Sequence, residues 1–534
     1  MIKLTLLTFI VFAAHLACVL AFVENIPAAD DFDVFLTGTL NFIEEANPLD
    51  KLLGLFDSHG EHFVAVPKTI GLLSYFGLGE VNFIALVVTG NLFLFLAALF
   101  LIRGARTNRA ASSITLLGIP FLYFHPQIHQ SSVWATAALS NMGVIFFALS
   151  SLYYGKRENP APIRSLLFAT LAFLTQANGL LVFALLAFNF ILAGKKKYFG
   201  IYCLLFLALG FVKKLSSPSP TITIQFQDNL NYFLSLLGAP LATSFEQAIG
   251  LGIYVLAAAI ISLGVSFKLN RFVFLSLLFF LLSALLASVM RLHLGLGGGF
   301  VESRYRLVSC SIMALSAIAI CIGTRKISVA RLFVPISLFA ASILFYAWSW
   351  TQYFDFYPYL FSKHSNSVTR YKTTGLGLNH PDQNVAIPIL KKSEASKIYS
   401  LPKVAHLTLV QPVKQEDFRV EEGNLIGDFE YFIDSKDQLY MEGFVMPLEK
   451  VNEQAKISVR LVNENGAAFT IQTVQYSRPD LELYFGSERG STPGFTVLVE
   501  KKNLPSGKYR TFLLLGPDGL KHHFIETGKT LTVN

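Results

Sequence analysis

The sequence predicts a polytopic α-helical membrane protein of about eleven spans, followed by a soluble β-sandwich domain. Three observations support this fold class. Hydrophobic residues make up 53% of the chain and charged residues only 15%. Long apolar windows recur up to residue 350, and from Glu80 to Glu302 few acids lie between them. After residue 351 charges become frequent and short alternating segments replace the apolar windows, which marks the start of a separate soluble region.

The first apolar segment, residues 1–22, has a lysine followed by a long hydrophobic stretch. This pattern fits either a cleaved signal peptide or a retained first span. We favour the retained span, because the later spans then alternate consistently across the membrane. Apolar windows of roughly 15 to 22 residues mark the remaining spans. They lie near 81–102, 111–124, 132–153, 163–176, 178–193, 199–214, 246–266, 272–290, 305–323 and 332–350.

The window 111–124 is short and contains Pro120, so it predicts a broken or re-entrant helix. Every second loop carries Lys and Arg, which short cytoplasmic loops retain. This predicts a multi-pass inner (plasma) membrane protein with a cytoplasmic N-terminus and a periplasmic or extracellular C-terminal domain. The predicted outer segments are 24–80, 125–131, 215–245, 291–304 and everything after 351.

A few basic residues interrupt this pattern because they fall in predicted outer segments or at their edges. They are Lys51, Lys68, Lys213, Lys214, Arg291 and Arg304. The other basic residues form short clusters between apolar runs, so the net charge of +8 reports membrane topology and not nucleic-acid binding.

The first outer loop, residues 24–80, contains ten acids and two lysines. Asp30, Asp31 and Asp33 follow closely on the first span. A carboxylate held at the membrane face can act as a general base, or can hold a divalent cation for a phosphate-bearing substrate. The alternative is an ordinary solvated acidic loop.

The same loop contains His59, Glu61 and His62 in the order His-Gly-Glu-His. This spacing differs from the i, i+4 histidine pair of zinc proteases, which disfavours that class. The alternative interpretation is a surface turn with incidental histidines.

Two further outer segments are rich in polar groups. His125 and His129 lie in the first, residues 124–130, and the second runs from Arg291 to Arg306. Within the second, Arg291, His293 and Arg304 are candidates for binding a lipid phosphate, because guanidinium groups match phosphate oxygens. Alternatively, Arg304 and Arg306 anchor a span at the membrane interface.

Several of these features together resemble the polytopic glycosyltransferases of the GT-C fold, in particular bacterial members. They are the acidic motif after the first span, the His-x-Glu-His segment before Pro67-Lys68, the many short spans and the late Glu-Ser-Arg-Tyr sequence at 302–305. The resemblance covers about residues 1–350. It departs from the family because no acid pair forms an Asp-Glu or Glu-x-Asp signature, so the identity of the base and any metal requirement stay open.

The resemblance implies inverting transfer of a sugar from a polyprenyl-phosphate donor to a cell-surface glycan or lipid acceptor, at the outer face and amid membrane lipids. It makes Asp31 the first choice for the catalytic base, with Asp30 and Asp33 as alternatives and Glu61 as a second acidic site. Arg304 and Tyr305 occupy the place of the lipid-phosphate contact. The other candidate substrate-binding residues are His59, His62, Arg291, His293, His125 and His129. No cofactor is certain, and a divalent cation, Mg²⁺ or Mn²⁺, is left open.

The C-terminal third predicts an antiparallel β-sandwich over 426–534, preceded by a linker or small subdomain over 351–425. Its turn motifs resemble accessory β-sandwich modules of bacterial surface-glycan enzymes. Four tyrosines are candidates for stacking on sugars, although strand tyrosines more often pack against their neighbours. They are Tyr431, Tyr440, Tyr476 and Tyr484.

Two other functions are alternatives to sugar transfer. A transporter or flippase requires charges near the bilayer midplane and an internal repeat, and the sequence displays neither. A non-catalytic receptor or assembly scaffold, binding glycan through the β-sandwich, is the serious rival. Under the transferase interpretation, the amphipathic stretch from Asn41 to Phe56 lies on the membrane surface.

Overall fold

The chain divides into two compact units. A computed structural model describes residues 2–60, 62–106, 113–156, 160–216, 225–403, 412–414, 420–422, 425–447, 456–485, 493–516 and 522–533. The first unit comprises Met1–Phe354 with Pro388–Ser400, and the second comprises Asp355–Ile387 with Leu401–Asn534.

Helices dominate residues up to 400. In chain order the α-helices are α1 Ile2–Phe22, α2 Gly38–Glu44, α3 Pro48–Gly54, α4 Ala65–Leu78, α5 Phe83–Ala105, α6 Ser113–Leu117, α7 Ile119–Tyr123, α8 His129–Val133, α9 Ala135–Ala137, α10 Gly143–Gly155, α11 Pro162–Thr175, α12 Leu180–Leu192, α13 Lys196–Ser216, α14 Phe226–Gly238, α15 Phe245–Leu269, α16 Arg271–Arg291, α17 Gly298–Val301, α18 Arg306–Thr324, α19 Ala330–Tyr353, α20 Phe356–Thr374 and α21 Gln383–Ala395. Two π-helices span Phe32–Thr37 and Ala138–Met142. Short 3-10 helices span Pro126–Ile128, Ala177–Gly179, Ala239–Leu241, Leu292–Leu294 and Ser303–Tyr305.

Among the described residues, eight helical runs are long and apolar enough to cross a membrane, which indicates a helical membrane protein. They are Ile2–Phe22, Phe83–Ala105, Ala135–Gly155, Lys196–Leu215, Phe245–Leu269, Arg271–Arg291, Ser303–Thr324 and Ala330–Thr374. Three other predicted spans coincide with the shorter apolar helices Ile114–Tyr123, Pro162–Thr175 and Ala177–Leu192. The count of eleven spans therefore stays a prediction.

The window around Pro120 is a broken helix, as its length and its proline predict. It forms α6 and α7, which meet at Gly118, and Pro120 lies in the first turn of α7. Proline is tolerated there because the amide hydrogen that it lacks would have no partner within the helix. The break turns the chain into the buried segment that contains His125 and His129.

Close backbone contact between helices occurs where glycines face each other. A Cβ atom added to Gly238 of α14 would collide with the backbone of Ala248 in α15, and one added to Gly252 of α15 would collide with Leu234 of α14. Small residues allow such close packing of membrane helices. The contact holds α14 against α15 beside the segment that leads to Arg304.

The first outer loop folds into short helices and a two-stranded hairpin of β1 Ser58–His59 and β2 His62–Phe63. The amphipathic stretch over Asn41–Phe56 is divided between α2 and α3. Asn47 caps α3 by accepting a hydrogen bond from the amide of Leu49 at 3.0 Å. The leucines of α3 are exposed, so this short helix presents an apolar surface.

Residues 388–400 pack within the first unit, although the sequence places them in a linker or subdomain. The Tyr399 hydroxyl donates to the carbonyl of Asn25 at 2.6 Å, and the Val81 amide donates to the carbonyl of Ile398 at 2.9 Å. These contacts hold the start of the first outer loop and the start of α5 against the same segment.

The second unit is built on two β-sheets and the short helix α22 Pro479–Phe485. Its strands are β3 Val413–Lys414, β4 Val420–Glu422, β5 Leu425–Asp434, β6 Gln438–Pro447, β7 Lys456–Asn463, β8 Ala468–Gln472, β9 Val474–Ser477, β10 Pro493–Glu500, β11 Gly507–Gly516 and β12 His522–Val533. One sheet has the order β5-β6-β10-β9 and the other β3-β8-β7-β11-β12-β4. Neighbouring described strands pair antiparallel except β12 and β4, which pair parallel. Side chains of both sheets share one core, as in a β-sandwich.

Helix α20 is attached to the four-stranded sheet by a buried polar network. Arg370 forms an ion pair with Glu442, whose carboxylate also accepts hydrogen bonds from the hydroxyls of Tyr440 and Tyr476 at 2.6 and 3.0 Å. The Arg370 guanidinium lies 3.8 Å from the ring centre of Tyr431. Three of the four candidate sugar-stacking tyrosines thus make internal contacts. The side chain of Tyr484 lies outside the described part of the chain.

Candidate functional site

An apolar cavity of about 520 Å³ lies within the first unit. Its walls are formed mainly by hydrophobic side chains, including Leu180, Leu181, Phe206, Phe279, Phe280 and Met290. Its polar lining consists of His62, Asn141, Gln176, Asn178, Lys213, Lys214, Ser283, Arg291, Arg304 and Tyr305. We call this space the apolar cavity. It combines a surface for a hydrocarbon with several positive charges.

Three helix ends and the hairpin bring these charges together. Lys213 and Lys214 lie in the last turn of α13, and Arg291 ends α16. Arg304 lies in the 3-10 helix Ser303–Tyr305, just before α18, and His62 belongs to strand β2. Because spans end at the membrane interface, basic residues at several such ends can meet around one cavity.

Four of the six basic residues that interrupt the positive-inside pattern line this cavity. They are Lys213, Lys214, Arg291 and Arg304. A cation beside apolar walls costs free energy unless an anion or other polar groups compensate it. Their convergence on one cavity gives the irregularity in the loop charges a structural counterpart.

Arg291 is oriented by the first outer loop. Its Nη2 atom donates to Nε2 of His62 at 3.2 Å, so that ring nitrogen acts as the acceptor. Arg304 contacts Oε2 of Glu302 through its Nε at 3.1 Å and lies 5.3 Å from the ring centre of Tyr305. The sequence-predicted residues His62, Arg291, Arg304 and Tyr305 are therefore brought to a single cavity.

The segment that carries Arg304 is clamped by two glutamines that the sequence analysis did not single out. The Gln130 amide donates to Oγ of Ser303 at 3.1 Å, and its side-chain Oε1 accepts from the Arg304 amide at 3.3 Å. Gln127 Oε1 accepts from Nη1 of Arg306 at 3.0 Å. The two glutamines of the polar segment 124–130 were the available signal, since a buried amide requires partners.

Arg306 is buried, with 1% of its surface exposed. Besides Gln127, its Nη2 donates to the carbonyl of Phe300 at 3.0 Å, and its guanidinium lies 4.4 Å from the ring centre of Tyr353. It is an internal connector and not a residue of the apolar cavity. It holds both sides of the turn that presents Arg304 and Tyr305.

His125, His129 and His293 do not line the apolar cavity. His125 is fully buried, with its Nε2 3.4 Å from Sγ of Cys310, and His129 Nδ1 lies 3.2 Å from the carbonyl of Pro126. Burial lowers the pKa of both rings to about 3, so both are neutral near pH 7. His293 is exposed on the 3-10 helix that follows α16.

The first-choice base, Asp31, is 1% exposed. Its Oδ1 accepts from the amide and the hydroxyl of Thr136 at 2.8 and 2.6 Å, and its Oδ2 accepts from the Ala28 amide at 3.1 Å. Burial raises the pKa of Asp31 to about 7, although these hydrogen bonds favour the ionised form. Asp31 thus ties the first outer loop to the beginning of helix α9.

Asp30 differs from its neighbour in being accessible, with 45% of its side chain exposed. Its Oδ1 lies 3.4 Å from Nε2 of His59, and this contact is the main reason why the pKa of His59 is raised. Asp30 also interacts electrostatically with Arg304. Asp30 is therefore accessible, and it is coupled to Arg304, one of the basic residues of the apolar cavity.

A second, polar cavity of about 530 Å³ lies in the first outer loop. Asp33 and His59 line it, together with Lys51 and Lys68, the two remaining basic residues that interrupt the topology pattern. Nζ of Lys68 donates to the carbonyls of Gly54 and Asp57 at 3.2 and 2.9 Å. All six irregular basic residues therefore line one of two cavities.

Glu61, the second acidic candidate, lies outside the described residues. Within the described part of the chain, no group of three His, Cys, Asp or Glu side chains is arranged to hold a metal ion. Asp30 and His59 provide two potential ligands close together. Comparisons of the chain with family models, with curated proteins and with solved structures find no match.

Proposed function

We propose that this protein is a membrane glycosyltransferase that moves a sugar from a polyprenyl-phosphate donor to a glycan or lipid acceptor at the outer face of the membrane. The observation that carries this proposal is the convergence of Lys213, Lys214, Arg291 and Arg304 on an apolar cavity. An isoprenoid chain needs apolar walls, and its phosphate needs cations. The cavity offers both in one place.

The basic residues would bind the donor phosphate and stabilise the charge that develops as it leaves. Arginine presents a planar fork of donors that matches phosphate oxygens, while the lysines supply compact positive charges. Such stabilisation is strong where water is largely excluded. A phosphate group is then a competent leaving group and requires no nucleotide.

Asp30 is the proposed base, in preference to Asp31. In the reaction, an acceptor hydroxyl oxygen forms a bond to the anomeric carbon while the bond from that carbon to the phosphate oxygen breaks. The hydroxyl proton passes to Asp30, and the electron pair leaves with the lipid phosphate. Attack opposite to the leaving group inverts the anomeric configuration.

Asp31 then has a positioning role. Its three hydrogen bonds hold the loop on which Asp30 lies. Only 1% of the Asp31 surface is exposed, so a large acceptor does not reach its carboxylate. The protonated ring of His59 would keep Asp30 ionised before the reaction, because an adjacent positive charge favours the carboxylate. If a divalent cation takes part instead, Asp30 and a neutral His59 ring are adjacent side chains that would hold it.

The proposal also includes the topology inferred from the loops, with a cytoplasmic N-terminus and the β-sandwich on the outer side of the inner (plasma) membrane. On that side the sandwich would act as an accessory module. The rival proposal is a scaffold that binds glycan through this unit. Its candidate sugar-stacking tyrosines support it weakly, because three of them make contacts within the unit. Tyr440 and Tyr476 donate their hydroxyls to Glu442, and Tyr431 stacks beneath Arg370.

Sugar transfer tests the proposal directly. Purified protein in lipid nanodiscs is incubated with a panel of radiolabelled polyprenyl-phosphate sugars, and the wild type is compared with Asp30→Asn, Asp31→Asn and Glu61→Gln. Asp228→Asn serves as a control, since Asp228 is a partly exposed acid at the beginning of α14 and lines neither cavity. We expect Asp30→Asn to lower turnover by about 10²- to 10⁴-fold with unchanged donor affinity.

Two outcomes would contradict parts of the proposal. Retained turnover in Asp30→Asn, together with a loss in a well-folded Asp31→Asn protein, would transfer the role of base to Asp31. If no donor binds to or reacts with the wild type, and the acid variants still support the cellular role of the protein, the scaffold interpretation would replace catalysis.

A further inference from the structure

Three side-chain amides line the apolar cavity besides its basic residues, and the proposed chemistry does not use them. They belong to Asn141, Gln176 and Asn178. All three occur where a helix is irregular. Asn141 lies in the π-helix Ala138–Met142, and the other two lie at the break between α11 and α12. Irregular backbone of this kind is frequent at functional sites of membrane proteins.

The lengths of α11 and α12 lead us to infer that the break between them lies within the membrane. These helices contain 14 and 13 residues, which corresponds to about 20 Å each, whereas the hydrocarbon core is about 30 Å thick. If α11 leaves one face of the membrane and α12 returns to the same face, the segment that connects them does not reach the opposite face. Non-helical backbone at this depth is tolerated where it lines a cavity, so Gln176 and Asn178 provide a polar floor for the apolar cavity.

The amides form a partly satisfied network. Nε2 of Gln176 donates to Oδ1 of Asn141 at 3.0 Å, and Nδ2 of Asn178 donates to Oγ of Ser283 at 3.2 Å. Oδ1 of Asn178 is shielded from solvent, and no donor among the described residues reaches it. A buried acceptor without a donor costs free energy in the empty protein. Rotation of the Asn178 amide toward the cavity, where a ligand hydroxyl could donate to it, would remove that cost.

The amide network is connected to the cationic side chains that are proposed to bind the donor phosphate. Asn141 Nδ2 lies 3.4 Å from Oγ of Ser131, and the preceding residue, Gln130, accepts the hydrogen bond from the Arg304 amide. Ser283 lies eight residues before Arg291 on the same helix, α16, which is about 12 Å along its axis. A ligand with its phosphate at Arg291 or Arg304 can therefore place a neighbouring polar group near the amides.

We propose that Asn141, Gln176 and Asn178 form a subsite that recognises hydroxyl groups adjacent to a lipid phosphate. The inference rests on the proposed function, and it makes these residues determinants of specificity for the donor head group. Amides suit this task because each one offers both a donor and an acceptor to a hydroxyl. The same chemistry occurs in a glycosyl polyprenyl phosphate and in a phospholipid such as phosphatidylglycerol.

Binding measurements on the full-length protein in nanodiscs separate these two sources. One arm compares glucosyl polyprenyl phosphate with polyprenyl phosphate, and the other compares phosphatidylglycerol with phosphatidic acid. Both arms use the wild type, Asn178→Leu and Gln176→Met. Asn189→Leu is the matched control, because Asn189 lies on α12, donates to the Gly155 carbonyl at 2.7 Å and does not line the cavity.

We expect Asn178→Leu to weaken binding of glucosyl polyprenyl phosphate about tenfold and to change binding of polyprenyl phosphate less than about twofold. Gln176→Met should act in the same direction, and Asn189→Leu should affect neither ligand. If Asn178→Leu and Gln176→Met weaken binding only of phosphatidylglycerol, the result would support the subsite. It would overturn a polyprenyl phosphate as the donor in the proposed function. Equal losses for ligands with and without hydroxyl groups, or no loss in either arm, would overturn the subsite even if sugar transfer is observed.

Discussion

Arg291 and His62 meet on the wall of the apolar cavity, where Nη2 of the arginine donates to Nε2 of the histidine at 3.2 Å. The contact joins the end of helix α16 to the hairpin of the first outer loop, across 229 residues of sequence. It restricts the rotation of the guanidinium. Under the proposed function, a first-loop residue thereby orients one of the late basic residues that bind the donor phosphate.

Replacing His62 tests this relationship. We expect His62→Ala to weaken polyprenyl-phosphate binding about three- to tenfold, because Arg291 loses the acceptor that orients it. His62→Gln retains an acceptor oxygen and should recover much of the affinity. Binding is measured in nanodiscs by ligand competition. An unchanged affinity in His62→Ala would show that Arg291 needs no orientation from the hairpin.

The two ends of helix α13 provide a matched comparison for the phosphate site. Lys213 and Lys214 line the apolar cavity at one end, whereas Lys196 and Lys197 lie at the other. We expect Lys213→Gln with Lys214→Gln to weaken donor binding by at least about tenfold and to reduce its salt dependence. Lys196→Gln with Lys197→Gln changes the net charge equally and should have little effect. Similar losses in both pairs would indicate nonspecific attraction to the anionic lipid.

The burial of Asp31 predicts how stability depends on pH. Its pKa in the folded protein is raised to about 7 from the ordinary value of 3.8, so the folded protein binds more protons than the unfolded chain between these values. The free energy of unfolding should therefore fall as pH rises from about 4 to about 7, with no further contribution from this group above that range. Thermal unfolding of the wild type and Asp31→Asn checks this. The variant should lose this part of the pH dependence, and identical pH profiles would contradict the prediction.

The clamp on the 303–306 segment can be weakened without touching the apolar cavity. Gln127→Leu removes the acceptor of Arg306 and the donor to the Pro240 carbonyl and Ser349. We expect a loss of about 1.5–3 kcal/mol in stability, because the hydrogen bond to a buried charge is lost. Donor binding should weaken as well, since Arg304 is less well held. Gln227→Leu, at an exposed position, serves as the control for both measurements.

The ion pair between Arg370 and Glu442 should dominate the attachment of α20 to its sheet. Their side chains are 2% and 4% exposed. We expect Glu442→Ala to destabilise the second unit by about 3–5 kcal/mol, because it leaves a buried guanidinium without its carboxylate. Glu526→Ala removes the partner of Arg510 in an exposed pair and should cost about 0–1 kcal/mol. Hydrogen exchange of the β6 amides in the full chain provides the measurement, and equal protection in both variants would contradict the difference.

The sequence was most informative where a short segment by itself determines the structure, as in apolar helices and glycine-containing turns. Apolar windows located the long helices because a lipid-exposed helix must be hydrophobic over most of its length. The two tight turns at Asn465-Gly466 and Pro505-Ser506-Gly507 were visible because glycine adopts positive φ angles, as it does at Gly466 and Gly507. The amphipathic stretch over Asn41–Phe56 was less well described, since the break before Pro48 divides it into two helices.

The sequence alone determined the membrane-helical class, the β-rich C-terminal region and the set of basic residues that do not fit the topology pattern. These features depend on composition and on the charge of short segments. Only the tertiary structure decided which residues meet: His62 with Arg291, Gln127 with Arg306, and three helix ends around the apolar cavity. It also separated Asp30 from Asp31, which are adjacent in sequence but differ in burial. The physical reason is that contact and desolvation depend on how distant helices pack, and this packing is not encoded in any single segment of the chain.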